Sequence, residues 1–245
     1  MVEAAQQTYP KTVREYFDNS YKFTSSGNRV LGVFTPAEGV AEGQQVVVLD
    51  KSILHPQGGG QPNDEGHLSQ GDTKFVIAEL KIKDDVVMHI GKFEPAEATF
   101  AEGSEVDCHV DEAKRRLFAR VHSAGHLLDV AMMKAGRTDL KPSKGYHFAT
   151  GAYVEYIGAV EASEREALVA TLNEKCAQII SSTPAEMNVF KKMCTYEEAQ
   201  EQLAGAGGVP SYIAEGTPLR VLKLVADDLG CPCGGTHVEH VHDIQ

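Results

Sequence analysis

Apolar positions in the first 110 residues recur in short runs, some alternating with polar residues, and turn-forming residues separate them. The runs 45–49, 75–82, 86–90 and 106–110 predict strands. Gly58-Gly59-Gly60, Asn63-Asp64-Glu65-Gly66 and Lys83-Asp84-Asp85 supply the turns. Short strands at this spacing suit a small barrel or sandwich. The period changes near Asp111. Leu117, Val121, Ala124, Leu128 and Ala131 recur at helical spacing, with Asp111 as N-cap and Gly136 as C-terminal stop. A second helix is expected from Ser163, with Glu166 closing a capping box. Its apolar stripe is Ala167, Leu168, Leu172, Cys176, Ile179 and Ile180, and Pro184 ends it. A shorter helix is expected from Thr195, with Glu198 in the same capping role. The glycine-rich stretch 205–210 then breaks the chain. A strand over 219–225 and a loop rich in Cys, Gly and His complete the pattern.

The pattern divides the chain near residue 110, without a long linker, into parts expected to pack together. There is no internal repeat and no low-complexity tract. The length of 245 residues allows one large domain or two modest ones, each with its own core. With 42% hydrophobic and 24% charged residues, the composition is that of an ordinary folded, soluble protein. No apolar run approaches the roughly 20 residues that span a bilayer. The N-terminal stretch MVEAAQQTYPKTVREYF lacks the apolar core of a signal peptide and carries acids, so a cytoplasmic location is expected, with no membrane partner.

Five cysteines, an odd number in a chain of this size, argue against a disulfide framework and leave thiols that can pack or bind metal. The net charge of −12 counts against a nucleic-acid partner, because phosphate affinity rests largely on Lys and Arg. A local patch could still serve. Arg115, Arg116, Lys141 and Lys144, with Lys114 and Arg120 nearby, are the candidates, although a solvated helix face accounts equally for Arg115 and Arg116.

Two segments carry metal chemistry. His122-Ser-Ala-Gly-His126 lies within the long predicted helix, and residues at i and i+4 share a face one turn apart. The pair sits off the predicted apolar stripe. Gly125 costs roughly 1 kcal/mol of helix stability relative to Ala and clears space for a ligand or backbone to approach. This is not the metalloprotease HExxH, because Ser123 stands where that motif has its glutamate. The second segment, Cys231-Pro-Cys233-Gly-Gly-Thr-His237, offers another i, i+4 pair on a glycine-rich turn. Two His together with a Cys/His pair suit zinc, whose preferred ligands are thiolate and imidazole. Cys233 has the spacing to His237, and Cys231 could substitute for it. Gly58-Gly59-Gly60-Gln61-Pro62 is neither a GxGxxG nor a Walker sequence, but its glycines permit close backbone approach by a ligand.

In combination and order, GGGQP over 58–62, His122-Ser-Ala-Gly-His126 and Cys233-Gly-Gly-Thr-His237-Val resemble the AlaX family, free-standing relatives of the alanyl-tRNA synthetase editing domain. The resemblance runs from about residue 30 to the end. It implies an α+β fold: a small β-barrel over 1–110 bearing the GGGQP motif, packed on an α/β two-layer, zinc-containing editing domain over 111–245. It implies that His122, His126, Cys233 and His237 are the zinc-site residues, and that Gly58, Gly59, Gly60 and Gln61 border an aminoacyl pocket. With no synthetase catalytic domain preceding the unit, it implies editing in trans of mischarged tRNA(Ala), chiefly Ser-tRNA(Ala) and also Gly-tRNA(Ala). The chain departs from the family in Leu54-His55, where Phe-Tyr often precedes the proline, and in Ser143-Lys144-Gly145, where synthetase editing domains tend to carry Gln-Lys-Gly.

Hydrolysis of an aminoacyl ester needs an attacking water and stabilisation of the oxyanion. Three protein ligands would leave zinc a place for that water, whereas four favour a structural or orienting ion. Glycine-loop amides are candidate oxyanion donors. Thr236 and Gln61 could contact substrate or stabilise their turns. Serine is larger than alanine, so selectivity requires polar groups that alanine would leave unpaired. A zinc hydrolase acting on another ester, a zinc-stapled RNA- or protein-binding module, and threonyl-type editing are the competing readings.

Overall fold

The computed structural model describes residues 8–36 and 39–244. Residues 1–7, part of the stretch from which location was read, fall outside that range. Among the described residues the fold is mixed α+β. The chain divides into two compact units, one comprising residues 1–57 and 63–115, the other residues 58–62 and 116–245. The glycine segment, expected with the barrel, therefore clusters with the second unit.

The first unit is a closed six-stranded barrel of β1 (Thr24–Phe34), β2 (Gln45–Leu49), β3 (Gly66–Gln70), β4 (Thr73–Lys83), β5 (Val86–Glu94) and β6 (Glu105–Val110), ordered β1-β2-β5-β4-β3-β6. The sequence predicts β2, β4, β5 and β6 but not β1 or β3. Two register shifts interrupt β1, which blurs its alternation, and GHLSQ in β3 offers one large apolar residue. β2 reads as a continuous apolar run because it is buried on both faces. Val47 and Leu49 enter the barrel core with Leu68, Phe75 and Phe93, while Val46 and Val48 join an outer cluster with Ile90. Six strands leave no open sheet edge to pair with another chain.

Helix α1 (Glu112–Lys134) follows. Asp111 caps it, its carboxylate accepting the Lys114 amide at 3.0 Å. Gly136, at φ 74°, ends it: its amide bonds the Met133 carbonyl and that of Arg137 bonds the Met132 carbonyl. The predicted inner face is corrected. Leu117 is 40% exposed and Val121, Ala124 and Leu128 are half-buried; of the predicted stripe only Ala131 is buried, with Arg115, Ala119, His122, Ser123, Leu127 and Val130. Polar side chains with partners occupy the inward positions, so apolar periodicity pointed around the helix from its true buried face.

The second unit adds the hairpin β7 (Lys141–Tyr146) and β8 (Tyr153–Ile157), helix α2 (Arg165–Ser182), strand β9 (Phe190–Cys194), helix α3 (Tyr196–Gln202) and strand β10 (Leu219–Lys223). β10 is central in a three-stranded sheet, between β9 and the short strand Cys231–Pro232. Leu127, Val130 and Ala131 of α1, Ile179 of α2, and Leu222 and Leu224 from the sheet side form one core. The Thr195 capping box is present, with Glu198 reciprocating. The Ser163 box is not. Residues Ala162–Glu164 wind a 3-10 turn instead, and α2 starts after Glu164 without a side-chain cap.

Candidate metal centre

His122, His126, Cys233 and His237 converge, each offering one donor atom, with all four donors within 4.8 Å of one another. α1 supplies the first two, one turn apart. The loop after Cys231–Pro232 supplies the others. That loop is pinned to β10: the Cys233 amide donates to the Arg220 carbonyl at 3.0 Å, and Arg220 Nη1 donates to the carbonyls of Gly235 (2.7 Å) and Cys233 (3.1 Å).

Hydrogen bonding sets which nitrogen each ring turns inward. Gln61 Oε1 lies 2.7 Å from His122 Nδ1 and also accepts the Thr236 amide at 2.9 Å. A carbonyl oxygen only accepts, so His122 Nδ1 carries the proton and Nε2, 3.6 Å from Cys233 Sγ, keeps its lone pair. At His237 the contacts are similar in place, with Nδ1 3.3 Å from Ser123 Oγ, a hydroxyl that can donate or accept, and Nε2 3.2 Å from Cys233 Sγ. Ser123 Oγ also accepts the Val238 amide at 3.2 Å. His126 Nδ1 lies 3.5 Å from Cys231 Sγ, and its Nε2 is buried with no hydrogen-bond partner. A buried imidazole nitrogen left without a partner costs free energy unless something else binds it. The donor set and this orphaned atom together fit a metal ion. Cys231, the alternative thiol, stands on the Nδ1 side of His126 rather than among the four donors.

Burial keeps these groups neutral. His126 is pushed down to about 4 by burial, with His147 adding to the effect. His237 is held well below the ordinary histidine value by burial, then by His122, His126, Arg220 and Lys191. Burial raises Cys233, opposed by its hydrogen bond with the Gly235 amide and by Arg220. Neutral imidazoles are the form that binds metal, and the amide and guanidinium favour the thiolate.

His147 belongs to this centre and no spacing in the sequence marks it. Its ring stacks on His122 at 4.4 Å, and its amide donates to the Gly60 carbonyl at 2.8 Å. The legible signal is glycine. A Cβ at Gly125 or Gly145 would collide with the His147 ring, one at Gly235 with His122, and one at Gly60 with the Gly145 carbonyl. Gly125 thus makes room for a histidine rather than for an incoming ligand. Asp129, which the helical wheel places beside the histidine pair, is held by the Tyr156 hydroxyl at 2.6 Å and lies 4.0 Å from His126 Nδ1. Burial raises its carboxyl to about 6.

Gln61 and Thr236, expected to touch substrate, are wholly buried. Gln61 Nε2 donates to Thr236 Oγ1 at 2.8 Å, so the two side chains hold each other and Gln61 also holds His122. Gly58 and Gly59 form the exposed tip of the turn, where the Gly58 and Gln61 amides and carbonyls bond reciprocally, and Gly59 has open space around it. Of the basic candidates, Arg116, Lys141 and Lys144 are exposed. Arg115 is corrected: it is fully buried in the barrel unit, forked on Asp64 and donating to the carbonyls of Ser20 (2.7 Å) and Ile53 (2.5 Å), where no phosphate can meet it.

The chain thus combines a barrel with an α/β unit whose Cys/His cluster could hold a metal ion. Residues 2–114, the barrel half, match the class II (A) tRNA synthetases. The alanine–tRNA ligase of Dichelobacter nodosus is 28% identical over 204 residues, which cover 82% of this chain and 22% of that enzyme. That of Methanosarcina acetivorans is 26% identical over 230 residues, 93% of this chain and 23% of the enzyme. That of Burkholderia mallei is 30% identical over 207 residues, 81% and 22%. The matches support kinship with the alanyl-tRNA synthetase superfamily without singling out its free-standing members. The chain spans under a quarter of the length of these curated relatives. No helix among the described residues is long and apolar enough to cross a membrane.

Proposed function

We propose that this protein is an aminoacyl-tRNA hydrolase that removes the wrong amino acid from mischarged tRNA(Ala) in trans, chiefly serine and also glycine, in the cytoplasm. The observation that carries the reading is the convergence of three imidazoles and a thiol beside an exposed glycine turn, in a chain similar to alanine–tRNA ligases. Zinc is the ion this donor set suits, held by His122, His126, Cys233 and His237. When bound, it supplies concentrated positive charge for Lewis-acid chemistry.

The remaining work falls to the chain. Gln61 fixes the tautomer of His122, and Ser123 holds the His237 ring in place through its Nδ1, which keeps the cluster poised without rearrangement. The open turn at Gly59 brings backbone within reach of a substrate carbonyl, where an amide can stabilise the oxyanion. Because Gln61 is buried and spent, discrimination of serine from alanine rests on groups other than its amide. No Ser-His-Asp arrangement is needed, and Cys233 serves as ligand rather than nucleophile.

The four-donor set also favours a second reading, a closed structural zinc that staples a binding module. One assay separates the two: release of amino acid from Ser-tRNA(Ala) beside Ala-tRNA(Ala), with and without a chelator. Metal-dependent release of serine with alanine spared is the expected result. Folded, metal-loaded protein that releases neither contradicts the hydrolase reading and leaves the module.

A further inference from the structure

The hairpin β7–β8 has two faces with different chemistry. Tyr146 and Tyr153 are directly opposite one another, so they share a face. Their rings stack at 5.4 Å between centroids and 15° between planes. Phe148, just beyond β7, stacks on Tyr146 at 4.4 Å and 12°. Three near-parallel rings therefore form a column, Phe148–Tyr146–Tyr153, and Tyr153 at its end is 42% exposed. Two residues along, past the Gly145–Val154 pair, Lys144 lies opposite Glu155, and beyond a register shift at Glu155–Tyr156 Lys141 lies opposite Ile157. All four are exposed, which leaves two cations against one anion in a chain of net charge −12. His147, between Tyr146 and Phe148, is buried and stacks on His122 of the metal centre.

We infer that this column is a stacking platform for an unpaired nucleobase at the 3′ end of the RNA whose ester the site cleaves. The inference rests on the hydrolase reading for its substrate but not for its geometry. A column of parallel rings ending at solvent extends by one more flat π-face, and every nucleobase offers one. Lys141 and Lys144 on the same strand answer the phosphates. A nucleobase offers a flat π-face on each side, and stacking on such rings is tolerant of which base it is. Because β7 runs directly into His147, a base held on the column is tethered within a few residues of the metal centre. This also gives an acidic protein a local route to RNA that its overall charge conceals.

The test uses the full chain and a short single-stranded RNA, not acylated, ending in 2-aminopurine, whose fluorescence is quenched on stacking. Quenching is expected on binding. Tyr153→Ala should abolish it and weaken binding about 10-fold or more, the scale of one lost base–aromatic stack. Tyr153→Phe should restore both, because the ring and not the hydroxyl is required. Unchanged metal content in Tyr153→Ala would show that the exposed position left the fold intact. Equal quenching in Tyr153→Ala overturns the inference, as does binding without quenching or no binding at all. The outcomes are separable from those of the hydrolase assay. Quenching without deacylation sinks the hydrolase reading and keeps the platform. Deacylation with an unchanged KM in Tyr153→Ala keeps the hydrolase and sinks the platform.

Discussion

The barrel unit and the second unit both bury polar side chains, but they use them in opposite ways. In the barrel unit, Arg115, Asp64 and His89 finish their bonding inside the protein, although Tyr9 Oη and Ser104 Oγ are buried without a partner. Arg115 forks on Asp64 and takes two carbonyls, and Asp64 Oδ2 accepts the His55 amide at 2.5 Å. His89 lies between the Val47 carbonyl (3.0 Å) and Ser52 Oγ (2.9 Å). In the second unit the histidines bond outward through Nδ1 and leave the other nitrogen facing a shared centre, His126 Nε2 with no partner at all. The lesson is that burial and polarity alone do not mark a site. What marks it is a set of buried groups whose hydrogen bonds are incomplete in one common direction.

The largest effect should come from breaking the incomplete set. His126→Ala is expected to weaken zinc binding by at least about 100-fold in a chelator competition, since a ligand counts for more than the outer groups whose loss costs roughly 10–100-fold. Full zinc occupancy in that variant would show that the converging donors are not ligands. Breaking the complete set should cost stability instead. Arg115→Met leaves Asp64 buried and uncompensated, and denaturant unfolding should fall by about 3–5 kcal/mol. Metal affinity of the folded fraction should be unchanged.

A third, smaller effect tests the barrel through pH. Burial pushes His89 down to about 4, with the Val47 hydrogen bond opposing. Unfolded, it takes up its proton near its ordinary value of 6.5. Between these limits the unfolded chain holds the extra proton, so the barrel loses stability as pH falls from 6.5 towards 4, by roughly 3 kcal/mol in full. Above 6.5 the residue confers no pH dependence. His89→Gln should flatten that portion of the stability–pH curve, and an unchanged slope would mean that His89 is already charged when folded. The smallest effect belongs to Gln61. Gln61→Ala should weaken metal binding about 10- to 100-fold, the range for a group that orients a ligand. A Gln61 that lined the substrate pocket would leave metal affinity unchanged.

How much of this could be read from sequence depended on whether local spacing carried the signal. His122 with His126, and Cys233 with His237, declare themselves because an i, i+4 pair needs only one turn of helix or loop. The caps at Asp111, Gly136 and Thr195 are equally local, and the structure shows all three. β1 and β3 were missed because register shifts and polar residues blur, in the hydrophobicity pattern, the two-residue alternation that barrel strands carry. The inner face of α1 was misplaced because Arg115, His122 and Ser123 occupy positions a hydrophobicity count assigns to solvent. His147 reaches the centre from a hairpin of little apolar character, and only the glycines that make room for its ring hint at it.

X-ray absorption at the zinc edge of stoichiometrically loaded protein tests the central claim most directly. The account predicts one ion per chain with three imidazole nitrogens and one sulfur in its first shell. Two sulfurs would bring Cys231 into the ligand set, and a shell with no sulfur would contradict the assignment outright.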